Sequence, residues 1–517
     1  MFVLYTYRIS VVHIDISSYK GAKRVRIVER EKVNGRYTTR LIKHIGTART
    51  DDELEILKKI AQTDRSRLSS PNQLRLDLGQ NSLSGLFSLG VFNYGAELIF
   101  GDIFDSLGVS IGRLTPLLRL LTIARIMHPA SKRDTATWLA NALGSTYSLD
   151  QIYRFLDTVY KHKSEIQYSL REAVSNSYPG AMSCLLYDVT TLYFEVDHED
   201  EDQYLWPGLR RRGYSKDHRS DLPQVVLGLC VNELGMPLSY RIYPGHTYEG
   251  KTLVDGVEFA RKQIGTDSIT VVADAGMLSS SNISLIKEMG MNFIISARIR
   301  SMEASVTQKI LSHDFKAQPI CEIGYRDLRL IVTYSQKRAN ADARRRQTSV
   351  SRLEKLISQN KAVRKHRFLE YSVKGRPALD YQAIEKAGHF DGLKGYLTNN
   401  DTLTYNEVTS HYNYLPTVEQ SFRMTKSDLK IRPAFHQRPK RIEAHVILCM
   451  ISLCVMRILE DKVKPCGFTY PQALSVISET NSALIGNAKK SHLIPPLYST
   501  EFKTISDAIG PSRCQLF

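Results

Sequence analysis

Two aspartates follow strand-like runs at the same relative place. Asp188 comes after four residues typical of a buried strand in CLLYDVTT, and Asp274 closes the similar run VVADAG. A buried charge is costly unless it is paired or metal-bound, and two like charges brought together need a cation between them. The pair predicts a divalent metal site. Taken singly, an aspartate at a strand end is often only a turn residue or a helix cap.

A third carboxylate, Glu419, lies in the helix-forming segment YNYLPTVEQSFRMTKSDLKIRP, where Pro416 suits a first helical turn. At 100° per residue, one narrow stripe of this helix contains Tyr412, Glu419, Arg423, Lys426 and Lys430. The core-facing edge beside the stripe is formed by Val418, Phe422 and Leu429. A carboxylate followed by cations suits metal-dependent phosphoryl transfer on DNA, whereas the alternative is a surface ladder of salt bridges.

The elements that must position these carboxylates begin at residue 183. Strand patterns in SCLLYDVTTLYFEV, PQVVLGLCVN and MPLSYRIYPG are followed by a helix, a strand, a helix and a strand. This order predicts an α/β protein with a ribonuclease-H-like catalytic domain. In such a sheet the first and fourth strands are neighbours, so Asp188 and Asp274 are expected to meet at one edge of the core.

The rest of the chain divides by its patterns. We expect a basic, strand-rich module over 1–65 that suits DNA contact, and a helical domain over 90–178. The catalytic domain spans about 180–460, with a β-rich insertion at about 300–398, and 461–517 form a C-terminal extension. The insertion contains a polar helix region, 337–367, with eleven lysines and arginines. That region is a candidate DNA-facing arm or only a solvated face.

Composition favours a polyanionic partner. The formal net charge is +17 and the pI is about 9.4, which makes nucleic acid the leading candidate through counterion release, although charge alone also fits any basic soluble protein. The seven cysteines are scattered through apolar runs, typical of a reducing cytoplasm rather than of a zinc site. The run AHVILCMISLCVMRILE predicts a buried helix too short to span a bilayer.

The loop RRRGYSKDHRSD lies between the first two predicted strands and combines cations with an aromatic residue, Tyr214, close to Trp206. Stacking together with phosphate contact suits a distorted or flipped base at a cleaved DNA end. A basic turn without a ligand is the alternative. The candidate DNA-binding residues of this loop are Arg210, Arg211, Arg212, Lys216 and Arg219.

Five blocks between about 180 and 460 resemble the DDE transposases of insertion sequences, of the insertion sequence four type. Four of them are YDVTTLYFE, the segment that begins RGYSKDHRSD, VVADAGM and DGLKGYLTNN. The fifth carries the spacing of that group's Tyr-Arg-Glu-Lys signature: Tyr412, two residues, position 415, three residues, Glu419, six residues, Lys426. Leu415 stands where the signature has arginine, and Arg423 is a candidate substitute.

The resemblance implies that Asp188, Asp274 and Glu419 bind two Mg²⁺ ions, with Mn²⁺ as a substitute. It implies DNA cleavage at transposon ends and joining to target DNA by in-line displacement at phosphorus. Tyr412 and Lys426 would position the phosphate, and the enzyme would act as a homodimer on DNA in the cytoplasm. The segment between Asp274 and Glu419 would be the mostly stranded insertion typical of the group.

Two other functions fit parts of the pattern. A nuclease of the same fold would use the same carboxylates without joining strands, but it needs neither the long insertion nor a separate N-terminal module. A DNA-binding protein descended from a transposase would have no activity. The presence of all three carboxylates argues against that derivative.

Overall fold

The fold is known from a computed structural model. It describes residues 10–19, 21–33, 36–51, 53–55, 57–58, 61–62, 87–202, 208–215, 219–264, 270–274, 280–359, 361, 363–371, 376–432, 436, 438–486 and 491–510. The spatial contacts between residues divide the chain into two compact units. The first contains Met1–Ile103, Ala130–Ile152 and Leu459–Phe517, and the second contains Phe104–Pro129 and Tyr153–Ile458. These two units do not coincide with the predicted domains, and the predicted domain boundaries stay a prediction.

The first unit contains two small antiparallel sheets. One is the meander β1 (Ser10–Tyr19), β2 (Ala22–Val33) and β3 (Arg36–Ala48), and the other has the order β16-β15-β4. The later strands are β4 (Phe87–Phe92), β15 (Ser482–Gly486) and β16 (Ser491–Ile494). Buried Val25, Ala48, Leu54 and Ala61 form a core against the meander. The described residues between 10 and 48 are therefore largely stranded, and the part of the predicted module before residue 10 lies outside the described residues.

Four helices of the described chain lie wholly or largely in this first unit. They are α1 (Tyr94–Ser106), α3 (Lys132–Ala142), α14 (Tyr470–Glu479) and α15 (Thr500–Ile509). Three further helices between 115 and 177 are α2 (Thr115–Met127), α4 (Leu149–Lys161) and α5 (Lys163–Ser177). Residues 94–177 are therefore mainly helical, and a separate helical domain over 90–178 stays a prediction.

The second unit is built on an eight-stranded mixed sheet of order β10-β11-β14-β9-β8-β5-β6-β7. Its strands are β5 (Cys184–Tyr193), β6 (Gln224–Val231), β7 (Pro237–Pro244), β8 (Thr270–Ala273), β9 (Asn292–Ala297), β10 (Ile320–Tyr325), β11 (Leu328–Tyr334) and β14 (Leu393–Thr398). β5, β6 and β7 form the predicted antiparallel meander, and β8 pairs with β5 in parallel. The predicted neighbourhood of the first and fourth strands is confirmed.

One face of this sheet is covered by α6 (Glu249–Ile264), which packs against β5, β6 and β7. The buried Tyr187 of β5 points to this face, because its hydroxyl donates to Thr252 O of α6 at 3.0 Å. The helix can approach so closely because Gly256 has no side chain: a Cβ there would lie 2.6 Å from the Tyr187 ring. The next helix along the chain is α7 (Ser280–Glu288).

The segment after Arg300 differs from the prediction of a β-rich insertion. Strands β10, β11 and β14 extend the central sheet beyond β9, so they are part of one continuous sheet. The remainder is mainly helical, with α8 (Ala304–Ser312), α9 (Gln336–Ser358) and α10 (Tyr381–Gly388) and only a short hairpin, β12 (Leu369–Tyr371) with β13 (Pro377–Leu379). The long helix α9 begins at the N-cap Ser335, whose hydroxyl accepts a hydrogen bond from Arg338 N.

The remaining helices are α11 (Tyr405–Asn413), α12 (Leu415–Arg423) and α13 (Pro439–Val463). The predicted apolar helix is part of α13, which is longer than the apolar run and has the length and composition to cross a membrane. However, 94% of its apolar window is buried inside the fold, as in the core helix of a globular protein. The prediction of a buried helix is confirmed, and the prediction that it is too short to span a bilayer is wrong.

Candidate active site

The two aspartates occupy equivalent places on neighbouring strands. In the β5–β8 pairing, Cys184 lies opposite Thr270 and Leu186 opposite Val272, so continuing the same register places Asp188 opposite Asp274. Side chains at equivalent positions of paired strands project to the same face of a sheet. Asp188 is half-buried, whereas Asp274 is exposed at the end of β8. The burial argument from sequence therefore holds only for Asp188.

The face that carries Asp188 is opposite to the face covered by α6. Side chains alternate along a strand, and Tyr187 points toward α6. Asp188 consequently projects toward the side on which α12 packs against β5 and β6. The same register row continues from Asp274 to Ser296 in β9 and Tyr396 in β14. One face of the sheet thus brings together two carboxylates and polar residues of two further strands.

Glu419 lies on α12, the helix that covers this face. Its neighbours Leu415, Val418 and Phe422 are buried, and Glu419 itself is exposed at the border of that apolar stripe. A carboxylate at the border of a packed stripe can reach past the helix toward the sheet edge. Within the described chain, however, no three carboxylate, histidine or cysteine side chains form a group able to hold a metal ion.

Two hydrogen-bonded contacts fix α12 in place. Ser421 Oγ donates to Gly235 O in the β6–β7 turn at 2.7 Å. The buried Arg457 of α13 donates to Thr417 O and to Ser421 Oγ, each at 2.8 Å. Gly235 has a positive φ, and a Cβ there would meet the Arg457 guanidinium at 2.6 Å. The helix that carries Glu419 is therefore attached both to the sheet and to the core helix.

The single continuous helix predicted from Tyr412 to Lys430 is wrong. The chain instead forms two helices, α11 and α12, which are separated at Tyr414. The separation lies just before Pro416, which has no N–H to continue the helical hydrogen bonds. Pro416 does lie in the first turn of α12, as predicted. Only Glu419 and Arg423, four residues apart on α12, retain the predicted common direction.

Beyond α12 the chain forms a π-helical turn, Met424–Asp428. The wider turn changes the direction of the side chains that follow, including Lys426. The chain then leaves the helix at Lys430, a non-glycine residue at φ 43°. Lys426 and Lys430 therefore do not share the predicted stripe, although the predicted core-facing residues Val418, Phe422 and Leu429 are all buried.

Tyr412 belongs to a compact aromatic and cationic cluster that the sequence analysis missed. The ring of Tyr412 meets that of Tyr396 edge to face, with centroids 5.2 Å apart. Lys394, two residues before Tyr396 on the same face of β14, places Nζ 4.1 Å from the Tyr412 ring centroid and 5.1 Å from that of Tyr396. The exposed Arg338 of α9 acts electrostatically on all three of these residues.

The charges of this cluster and of Asp274 influence one another. Burial lowers the pKa of Lys394 to about 8; the nearby charge of Arg338 lowers it as well, and that of Asp274 raises it. Burial also raises the pKa of Tyr412, and Asp274 adds to that shift. The cluster therefore lies within electrostatic range of one predicted metal ligand. A signal for it was present in DGLKGYLTNN, where a lysine interrupts a strand.

A histidine attaches α11 to the start of β5. His411 Nε2 lies 3.1 Å from Ser183 Oγ, and Ser183 Oγ donates to the buried carboxylate of Glu233. Burial lowers the pKa of His411. This contact helps to hold the neighbouring Tyr412 over the sheet.

Two arginines of the loop between β5 and β6, Arg210 and Arg211, are paired with acidic residues that precede them. Arg210 is buried, and its Nε donates to Asp200 at 2.7 Å. Arg211 pairs with Asp202, and Arg212 Nε donates to Asp221 O at 3.0 Å. The Arg210 guanidinium is thus buried, and its Nε and Nη2 both donate to Asp200, so its phosphate contact stays a prediction.

The rest of that loop leaves the DNA-contact prediction open. Arg219 is exposed, pairs with Asp221 at 3.2 Å and lies over the Tyr193 ring at 5.3 Å. Tyr214 is 81% exposed, so its ring is accessible for stacking on a base. Lys216 and Trp206 lie outside the described residues.

The residues present suit a hard divalent cation in part. Asp188 and Asp274 share a register row on one face and provide carboxylate oxygens, the ligands that Mg²⁺ prefers. Glu419 is on the helix that covers that face and has no ion pair or hydrogen bond within the described chain. The three carboxylates are suitable ligands for Mg²⁺. Glu419 has to approach Asp188 and Asp274 to complete the metal site.

The family described as the transposase DDE domain matches residues 179–455. No curated protein matches. A cryo-EM structure of the piggyBac transposase synaptic complex with hairpin DNA aligns with 9% identity, 80% of this chain, 76% of that chain and a TM-score of 0.36. A crystal structure of a pre-cleavage Mos1 transpososome aligns with 8% identity, 46% and 67% coverage and a TM-score of 0.15.

Proposed function

Because the chain belongs to the DDE transposases, the enzymes of DNA transposition, we propose that it cleaves DNA at transposon ends and joins those ends to target DNA. The observation that carries the proposal is the shared register of Asp188 and Asp274 on the face that α12 covers with Glu419. We further propose that its core is ribonuclease-H-like and that it belongs to the Tyr-Arg-Glu-Lys group, with Leu415 in place of the arginine.

The three carboxylates would hold two Mg²⁺ ions, for which Mn²⁺ would substitute. When bound, these ions supply positive charge that activates the attacking oxygen and stabilises the leaving oxygen. The carboxylates orient that charge, and the scissile phosphate lies between the sheet edge and α12. The oxygen of water attacks phosphorus in line for cleavage, and a DNA 3′-hydroxyl attacks in line for joining. In each case the attacking oxygen loses its proton to solvent, the opposite P–O bond breaks, and the electron pair of that bond stays on the departing oxygen.

The cluster around Tyr412 would hold the phosphate during this displacement. Lys394 brings a cation to the face that carries Asp274, and the rings of Tyr396 and Tyr412 restrict its movement. Restricting a cation before the reaction lowers the cost of aligning phosphorus with the nucleophile. Arg338 would contribute positive potential. Lys426, Arg423 and Lys430 would contact more distant phosphates, because the helix break and the π turn separate them from Tyr412.

The protein would act in the cytoplasm as a homodimer that pairs two ends of double-stranded DNA. The loop with Arg212, Tyr214, Lys216 and Arg219 would contact the cleaved end, and Arg210 and Arg211 would support that loop from within. The exposure of Tyr214 supports base stacking there.

The test is cleavage and joining of DNA that carries the element's own ends, in Mg²⁺. Asp188→Asn and Asp274→Asn should each reduce both activities at least about 100-fold, because each removes a metal ligand. Glu258→Gln, on the opposite helix α6, is the matched control and should retain activity. Cleavage by the wild type without joining would favour a nuclease, and full activity of Asp188→Asn would refute the proposed site.

A further inference from the structure

A small cavity of about 200 Å³ lies among the helices that follow Arg300. Its lining does not include Asp188, Asp274 or Glu419. We call it the arginine pocket, and its charged lining residues are Arg300, Arg345, Arg346, Arg367, Asp342 and Asp391. Four guanidinium groups face two carboxylates, so the pocket carries a formal excess of two positive charges. Such an excess in a partly enclosed space favours an anion.

Both carboxylates of the pocket are already engaged. Asp391 pairs with Arg346, and its side chain is only 13% exposed. Asp342 accepts a hydrogen bond from Gly392 N at 3.2 Å and lies 3.9 Å from Arg345 Nη1. Neither carboxylate is therefore available to neutralise the two remaining arginines.

Those two arginines are held by aromatic rings. Arg300 lies over the Phe390 ring at 5.8 Å, and Arg367 lies over the Phe368 ring at 4.6 Å. Both phenylalanines are buried, at 2% and 1% exposure, so the rings are fixed supports. In the described part of the chain neither arginine has a carboxylate partner. A guanidinium stacked on a ring keeps its N–H edge for a planar pair of acceptor oxygens.

We propose that the arginine pocket binds a phosphate group of the DNA backbone, with Arg300 and Arg367 as its principal contacts. A phosphate diester supplies two terminal oxygens that match a guanidinium edge, and DNA is the polyanion on which the proposed function acts. The pocket would contact DNA outside the scissile phosphate and so would help to set the position of the duplex. This inference rests on the proposed function only for the identity of the ligand.

The test measures binding of end DNA by fluorescence anisotropy in EDTA, where no cleavage occurs. Because binding is measured without catalysis, the result tests the arginine pocket separately from the proposed cleavage and joining of DNA. Each phosphate contact contributes about 0.9 to the slope of log K against log salt concentration. Arg300→Gln/Arg367→Gln should lower the slope by about 1 to 2 and weaken binding at least about 10-fold at 0.2 M salt. Arg300→Lys/Arg367→Lys should retain most of the slope.

The matched control is Lys309→Gln/Lys316→Gln, which removes two exposed cations from the same segment outside the pocket. Thermal unfolding of all variants shows whether each is folded. A slope change no larger in the pocket variant than in this control would overturn the proposal. A second arm titrates inorganic phosphate and pyrophosphate. A pocket-dependent rise in Tm with these small anions, together with an unchanged DNA slope, would assign the pocket to a free phosphate compound and also overturn it.

Discussion

The β5–β6 loop and the cluster around Lys394 are both cationic, but their cations have different partners. In the loop, Arg210 and Arg211 are paired with Asp200 and Asp202 of the acidic stretch that precedes them. In the cluster, Lys394 lies on the rings of Tyr396 and Tyr412 and has Asp274 only within electrostatic range. A paired cation stabilises the fold, and a ring-supported cation remains able to attract a phosphate. The number of basic residues in a segment therefore does not identify its DNA contacts.

The largest effect is expected at Lys394, where a substitution distinguishes a cation that acts on the reacting phosphate from one that only holds the duplex. Lys394→Met should reduce DNA cleavage about 100-fold with little change in the affinity for end DNA, because the lost charge acts on the reacting phosphate. Lys394→Arg should recover part of the activity. The control is Lys386→Met on α10. An equal loss of binding and of cleavage rate in Lys394→Met would show that Lys394 only holds the duplex.

Arg210 should matter for stability and not for catalysis. Arg210→Ala leaves Asp200, 15% exposed, without its partner and should lower the free energy of unfolding by about 3 kcal/mol. Chemical denaturation of this variant, of Asp200→Ala and of the double variant measures the coupling. A normal stability combined with a reduced salt slope of DNA binding would make Arg210 a DNA contact after all.

The role of Arg219 is expected to be intermediate between those of Lys394 and Arg210, because Arg219 is exposed and its pair with Asp221 is solvated. Arg219→Gln should leave the free energy of unfolding nearly unchanged, because a solvated ion pair contributes little to stability. If the loop contacts DNA, the salt slope of binding should fall by about 0.9. The comparison with Arg212→Gln, in the same anisotropy assay, shows whether one or both of these residues reach the backbone.

The smallest effect concerns pH. A hydrogen bond from the Gly208 backbone, and then Arg211, lowers the pKa of Asp202 below its ordinary 3.8. The stabilisation from Asp202 is therefore present above pH 3.8 and is lost as the pH falls through the lower folded value. The Tm difference between wild type and Asp202→Asn should be constant from pH 7 to 5 and should shrink in stronger acid. A difference that disappears between pH 7 and 5 would contradict the pairing.

The sheet edge was predictable because its signals are local. Apolar runs that end in Asp188 and Asp274, with helices between the later strands, predict parallel neighbours in register, and the structure has them. The helical segment was predictable only in part. Pro416 was recognised as a first-turn residue, but neither the break that it imposes nor the π turn after Arg423 was predicted.

Long-range pairing explains the residues that the sequence did not reveal. Lys394 meets Tyr412 only because β14 joins the sheet beside β9, and the prediction had placed β14 in a separate insertion. The pairing of Arg210 with Asp200 had a local signal, the acidic run just before the basic one. Opposite charges ten residues apart on a loop can close it without any nucleic acid.

The central claim is that Asp188, Asp274 and Glu419 hold metal ions together at a DNA phosphate. Its most direct test counts the Mn²⁺ ions bound to the complex with end DNA by electron paramagnetic resonance titration. The wild type and the control Glu258→Gln should bind two ions per active site, and Glu419→Gln should bind fewer or bind them at least about 10-fold more weakly. Equal stoichiometry and affinity in Glu419→Gln would contradict the assignment of the third carboxylate.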